Sequence, residues 1–163
     1  MKGKRSPENL LREAGCGSNV IAHCKAVRDL ALIYARNAGA DIELVETGAM
    51  LHDIGRAQTH SLAHAQVGAD YCRKLGFPER LARIVECHIG AGLTAGECRE
   101  AGLKPINCIP QTTEEKIVAH ADNLVKGTLV ITIEERLKLA ENLSEGARGR
   151  MRRLAAEMEV FRE

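Results

Sequence analysis

Apolar residues recur at three- and four-residue spacing along most of the chain, and strict apolar/polar alternation is nearly absent, so the pattern predicts helices rather than strands. Ser6 followed by Pro7 opens a short helix ending near Gly15. Ser18 caps a long one through Asn37 with Gly39 as its stop, and Asp41 caps a third running to Gly55. A fourth spans about Ala63 to Leu75 before Gly76, and Pro78 opens a fifth that reaches His88. Thr94 with Glu97, and Thr112 with Glu115, have capping-box spacing; the first starts a short sixth helix and the second a helix through about Lys126. Between them G-L-K-P-I-N-C-I-P-Q reads as a loop, and the region 91–112 is the expected lid or specificity segment. V-I-T-I at 130–133 has strand-like composition, but Thr132 with Glu135 makes it the start of a helix. A last, charged helix begins at Ser144. The expected architecture is all-α: an N-terminal helix over 1–17, a helical bundle over 18–127, and a C-terminal helical extension over 128–163 packing on the same domain.

Ionisable residues interrupt the apolar faces of these helices. His23 lies in line with Val27, Leu30 and Tyr34, and His64 heads a stripe with Val67, Gly68, Tyr71 and Leu75. His88 ends one made of Leu81, Ile84 and Val85, Asp122 sits between Val118 and Val125, and His52 follows Val45, Gly48 and Ala49 with Asp53 beside it. One inward histidine is ordinarily a core residue that has found a hydrogen bond. Four imidazoles and two carboxylates on the buried faces of five helices need a shared countercharge, because an unpaired buried carboxylate is costly. One or two divalent cations would supply it. Imidazole nitrogen and carboxylate oxygen without thiolate suit Fe, Mn, Ni, Co or Zn, with Mg possible at an oxygen-richer position. Cys24 and Cys87 neighbour candidate ligands, but adjacent helical positions point about 100° apart, so they read as small packing residues.

Composition narrows the function classes. With 23 Lys and Arg against 22 Asp and Glu there is no basic field to grip a nucleic-acid backbone, so polymeric nucleic acid is not the expected partner. Apolar runs fall short of the roughly 18 residues a membrane span requires, and M-K-G-K-R-S-P-E lacks the apolar stretch of a signal peptide, so no membrane association and a cytoplasmic location are expected. The 6 cysteines contain no Cys-x-x-Cys pair and are read as reduced thiols. Arg148, Arg150, Arg152 and Arg153 read as a solvated face. That last helix also leaves a homo-oligomer open.

His23, the doublet His52-Asp53 within A-M-L-H-D-I-G-R, and Asp122 within A-H-A-D-N-L resemble the H…HD…D signature of the HD superfamily of metal-dependent phosphohydrolases. H-A-Q-V-G-A and H-I-G-A-G fall between them in the family's order, and the resemblance covers about residues 18 to 127. It implies an all-α HD-domain bundle, here with extra C-terminal helices. His64 and His88 resemble the additional ligands of the two-metal branch, which includes bacterial diadenosine tetraphosphate hydrolases and the HD-GYP phosphodiesterases. By that resemblance His23, His52, Asp53 and Asp122 hold one metal, and Asp53 bridges to a second held by His64 and His88. HD-GYP proteins carry a His-His doublet and a Gly-Tyr-Pro segment; I-G-A-G after His88 has neither, which argues against cyclic dinucleotides as substrate. Relatives often have lysine where this chain has Arg56, and arginine forks onto phosphate but donates a proton poorly.

The resemblance implies a phosphohydrolase acting on a phosphate ester or phosphoanhydride of a small, nucleotide-like substrate. Asp53, His60 and Arg56 are the candidate catalytic residues, His60 as a proton donor to the leaving group. Arg56 and Lys126 are the candidate grips on substrate oxygens. His120, two residues from Asp122, is a candidate for a supporting role. Two other classes share this ligand set: a di-iron HD oxygenase and a non-catalytic metal or nucleotide sensor.

Overall fold

The computed structural model describes residues 5–163. The chain is a bundle of nine α-helices among those residues, joined by short turns and one two-stranded hairpin. The first four residues of the expected N-terminal segment lie outside them. Helix α1 (Pro7–Ala14) is capped by Ser6, whose Oγ accepts the Asn9 N–H, and ends at Gly15 in the left-handed region. The long α2 (Ser18–Ala38) begins one residue earlier than the capping expectation, with Gly17 at the N-cap and Ser18 already helical, and stops at Gly39 as expected.

Helix α3 (Ile42–Leu51) starts at the Asp41 cap but does not run to Gly55. It ends before the His-Asp doublet, and a separate 3-10 turn covers Ile54–Ala57. Helix α4 (His64–Lys74) follows, then α5 (Glu79–Glu86), which stops short of His88. Thr94 and Glu97 form the full capping box of α6 (Ala95–Glu100), and Thr112 and Glu115 that of α7 (Thr113–Asn123). Helix α7 ends at Asn123, not Lys126. Val125–Lys126 (β1) instead pairs antiparallel with Leu129–Val130 (β2), so Val130 is a strand residue, while Thr132 caps α8 (Ile133–Leu139) as expected. Helix α9 (Glu145–Met158), capped by Ser144, completes the fold.

Helix α2 lies at the centre, against α3 on one side and α7 on the other. Val27, Tyr34, Val45, Ile117 and Val118 fill the core between them, and Met151, Leu154 and Met158 of α9 close it. A second cluster joins Leu11 of α1 to Cys24, Leu51, Ile54, Cys72 and Val85. The ion-bearing residues sit where these two clusters meet. The region 91–112 is not a free loop: Leu93, Cys98 and Cys108 are buried with Cys87 and Ala147, and Arg150 reaches from α9 to Glu97 and the Gly92 carbonyl. Arg148 donates to the Leu137 carbonyl, so of the four clustered arginines only Arg152 and Arg153 form the expected solvated face. No helix among the described residues is long and apolar enough to cross a membrane.

Candidate metal centre

Three of the histidines sit at helix boundaries, His52 and His88 just past the ends of their helices and His64 at the start of its own, and each turns its ring back on a carbonyl three residues earlier. The last carbonyls of a helix have no intrahelical partner. His52, just past α3, donates its Nδ1–H to the Ala49 carbonyl at 2.6 Å, and His88, just past α5, donates its Nδ1–H to Val85 at 2.6 Å. His64, the first residue of α4, donates to Ser61 at 2.7 Å. His23 lies within α2, and its Nδ1–H goes to the Gly127 carbonyl at 2.7 Å. A carbonyl only accepts, so every Nδ1 carries a proton, and in the neutral imidazole every Nε2 presents its lone pair.

These four lone pairs converge on two carboxylates. Asp53 Oδ1 lies 3.1 Å from His64 Nε2 and 3.4 Å from His88 Nε2. Its other oxygen, Oδ2, lies 3.5 Å from His52 Nε2 and 3.7 Å from His23 Nε2. Asp122 Oδ1 is 3.0 Å from His23 Nε2 and 3.3 Å from His52 Nε2. The cluster thus divides into two groups, His23 with His52 and Asp122, and His64 with His88 and Asp53. Asp53 faces both, one oxygen to each.

All of this is taken out of water. His52, Asp53, His64 and His88 are buried, while the side chains of His23 and Asp122 keep 16% and 21% exposure and mark the open side. Burial pushes the Asp53 carboxyl up, but His52, His64 and His88 outweigh it and hold the group ionised well below the usual carboxylate range. Asp122 is depressed in the same way, burial being outweighed by His52 and His23. Burial would lower His52, yet Asp53, Cys24 and Asp122 lift it well above the ordinary imidazole value. For His88 burial prevails and the pKa falls. Two features are unfavourable for a cluster of imidazoles and carboxylates alone. His52 Nε2 is buried without a hydrogen-bond partner, and the Nε2 atoms of His64 and His88 face each other at 3.0 Å with both Nδ1 protons already committed. A cation between these atoms removes both problems. Locking a histidine through its second nitrogen onto a backbone carbonyl is also how metal-bound imidazoles are oriented. The donor set therefore fits divalent metal.

All six residues expected to bind metal are brought together. Arg56 joins them, its Nε 3.2 Å from Asp53 Oδ2 and its side chain 31% exposed. His60 is not brought in: it is exposed in the segment before α4, and no hydrogen bond or ion pair joins it to the cluster among the described residues. Lys126 lies exposed on β1 and not one helical turn beyond Asp122, because α7 has already ended. His120 faces away into a separate clasp, with its Nε2–H on Glu159 Oε2 at 2.8 Å beside the Tyr34 hydroxyl. Cys24 packs in the second apolar cluster as expected, and its buried thiol also lies within 4.8 Å of ligand atoms of His52 and Asp53.

Gly55 also has a different role from the expected helix stop. Its φ is not positive, and a Cβ there would fall 2.0 Å from the His64 carbonyl oxygen and 2.8 Å from the Gly68 amide nitrogen. The glycine lets the turn after His52-Asp53 press directly onto the backbone of α4, which carries His64. Sequence reasoning also missed the Gly127 carbonyl and Asn123, whose side chain donates to the Gly90 carbonyl two residues past His88. K-G-T-L, with glycine first in a two-residue turn, was the signal for the former.

Comparison with known proteins gives a consistent picture. The profile of the HD domain family matches residues 20–127. An uncharacterised protein of Methanocaldococcus jannaschii is 50% identical over 131 residues, which are 77% of this chain and 78% of that one. A tRNA (cytidine(56)-2′-O)-methyltransferase of Thermoplasma volcanium is 47% identical over 133 residues, but these are 82% of this chain and only 38% of the methyltransferase. Among solved structures, the HD domain of the L. monocytogenes phosphodiesterase PgpH in complex with cyclic-di-AMP superposes with a TM-score of 0.61 at 18% identity, over 95% of this chain and 98% of that one. At that identity the likeness concerns the fold.

Proposed function

Because this chain belongs to the HD domain family, we propose that it is a phosphohydrolase that holds two divalent cations, one by His23, His52 and Asp122 and one by His64 and His88, with Asp53 bridging them. The carrying observation is the set of four Nε2 lone pairs, each locked by a protonated Nδ1, aimed at two ionised carboxylates. A bound pair of such cations supplies an activated water near neutral pH and neutralises phosphate charge.

The chain's own residues set the geometry around that chemistry. Asp53 offers one oxygen to each group, which fixes their separation. Arg56 is the candidate grip on a phosphate oxygen, with its guanidinium already anchored on Asp53. The burial of His52, His64 and His88 leaves approach to the side of His23 and Asp122, where the substrate phosphate enters. Proton delivery to the leaving group is not assigned to His60, which the fold leaves apart from the cluster. A small phosphate ester or anhydride, nucleotide-like, is the proposed substrate class. The phosphodiesterase neighbour binds a molecule of that kind, and four aromatic rings of Phe and Tyr in the whole chain leave little for base stacking. Methyl transfer is not proposed, because the matched portion is the smaller part of the methyltransferase relative.

The test is elemental analysis of protein purified without an affinity tag, beside Asp53→Ala, followed by phosphate release from nucleotides and simple esters with Mn or Ni, with and without dioxygen. About two ions per chain, lost in the variant, with release that needs no dioxygen, is the expected result. A dioxygen requirement would move the reading to the di-iron oxygenase. Absence of metal after reconstitution would overturn the proposal.

A further inference from the structure

His23 differs from the other three histidines in how its ring is held. His52, His64 and His88 each bond a carbonyl three residues earlier, left over at a helix end for His52 and His88 and in the turn before α4 for His64. His23 sits inside α2, where the nearby carbonyls are taken by the helix's own ladder. Its orientation comes from Gly127, 104 residues away in sequence, at the tip of the β1–β2 hairpin.

The hairpin is built to place that carbonyl. Lys126 pairs with Leu129, leaving Gly127 and Thr128 as a two-residue turn; Gly127 alone has positive φ, at 63°, the pattern of a type II′ turn. The stem is fixed to the end of α7. Val125 is buried, the Ile131 N–H donates to the Leu124 carbonyl at 2.8 Å, and Arg136 of α8 spans the junction with Nε on the Asn123 carbonyl and Nη2 on the Val125 carbonyl. The same junction begins one residue after Asp122. Helix α7 thus delivers one member of the first group as a side chain and orients another through its hairpin.

We infer that the 125–130 hairpin, clamped by Arg136, is a positioning element that presents His23 Nε2 to the first cation and has no part in the second. The inference rests on the two-cation reading for its consequence, but the ring geometry it asserts is independent of metal.

The experiment uses the full chain with ¹⁵N-labelled histidine and compares Gly127→Val, Gly127→Asn and Gly39→Val. A Cβ at either glycine meets open space, and both have φ near 65°, so valine strains the backbone at each, while asparagine is among the residues that such turns accept after glycine. Without metal, the wild type shows His23 protonated at Nδ1, and Gly127→Val shows mixed tautomers. On titration with Zn²⁺, followed at the ring nitrogens of His23 and His88, Gly127→Val weakens the response at His23 by about 10- to 100-fold and leaves that at His88 unchanged. Gly127→Asn restores the first cation, and Gly39→Val, which strains a glycine at the far end of α2, changes neither. Unchanged affinity at both sites in Gly127→Val, or equal loss at both, overturns the inference. If the wild type takes up no Zn²⁺, the two-cation reading fails and the tautomer alone decides: His23 protonated at Nε2 in the wild type refutes the positioning role.

Discussion

Gly55 offers the sharpest test of how the site is assembled. In Gly55→Ala the new methyl would lie 2.0 Å from the His64 carbonyl oxygen and 2.8 Å from the Gly68 nitrogen. Carbon and carbonyl oxygen need about 3.3 Å even in a close C–H···O contact, so the turn and α4 must separate by about 1 Å. Both obstructing atoms are backbone, so no rotamer change relieves the clash. Overpacking typically costs about 1–3 kcal/mol, and the lack of a compliant neighbour puts this case at the upper end, about 3 kcal/mol. For a chain of this size that is a fall in Tm of about 6–12 °C. The same displacement acts on the site, because His64 and Asp53 stand on opposite sides of the contact with their ligand atoms 3.1 Å apart. Metal distances tolerate about 0.2 Å, so the cation shared by Asp53, His64 and His88 should be lost. Thermal melts by circular dichroism and metal counting, with Gly96→Ala as a control where φ is not positive and a Cβ meets nothing nearer than 3.9 Å, measure both effects. A Tm within about 2 °C of wild type together with full stoichiometry would refute the reasoning.

Removing both cations with a chelator should lower Tm by about 11–22 °C relative to protein at metal concentrations 100-fold above each Kd, a mass-action contribution of about 2.7 kcal/mol per cation; an unchanged melt would mean that the buried cluster needs no metal to hold together. Metal uptake displaces the proton that Asp53, Cys24 and Asp122 favour on His52, whose pKa is raised, so apparent affinity should keep rising with pH beyond the ordinary imidazole value; a plateau below about pH 6.5 would contradict it. Acid stability should depend on the clasp of Tyr34, His120 and Glu159. Burial raises Glu159, but Tyr34, His120 and Arg162 outweigh it and bring it down to about 2, so its contribution is complete above its unfolded value near 4.3 and is lost as pH falls toward 2. His120 is lowered by burial, so the unfolded chain takes up its proton first and stability begins to fall below about pH 6.5. Glu159→Gln should flatten the lower part of that acid profile, and an unaltered urea midpoint between pH 2 and 4 would remove Glu159 from the account.

The features legible in the sequence were those written in local chemistry. The caps at Ser6, Asp41, Thr94, Thr112, Thr132 and Ser144 each need only a side-chain oxygen and an amide two or three residues on, so short patterns specify them. The candidate metal residues were legible for a different reason. A histidine or aspartate on an apolar stripe is a contradiction that only a partner resolves, and six such contradictions shared one solution. What was hidden depends on contacts between segments far apart. The end of α3 at Leu51 follows from His52 turning its own ring back on the Ala49 carbonyl, which it does because its other nitrogen is wanted by Asp53 and Asp122. The end of α7 at Asn123 follows from Arg136 taking carbonyls that a longer helix would have used.

Cys24 and Gly55 mark the same boundary from the other side. Treating adjacent helical positions as pointing apart put the thiol away from the site, and that would hold if the cluster were reached from α2 alone. The cluster instead sits over α2, with α3 delivering His52 and Asp53 from the facing helix, so His23 and Cys24 flank it rather than oppose each other across it. Gly55 reads as a helix stop because glycine often is one, whereas here the missing Cβ admits the backbone of α4. In both cases the residue type was informative and its direction was not, since direction is set by which helix packs opposite. A metal centre assembled from helix ends makes this acute: the features that identify its ligands also end the helices used to orient them.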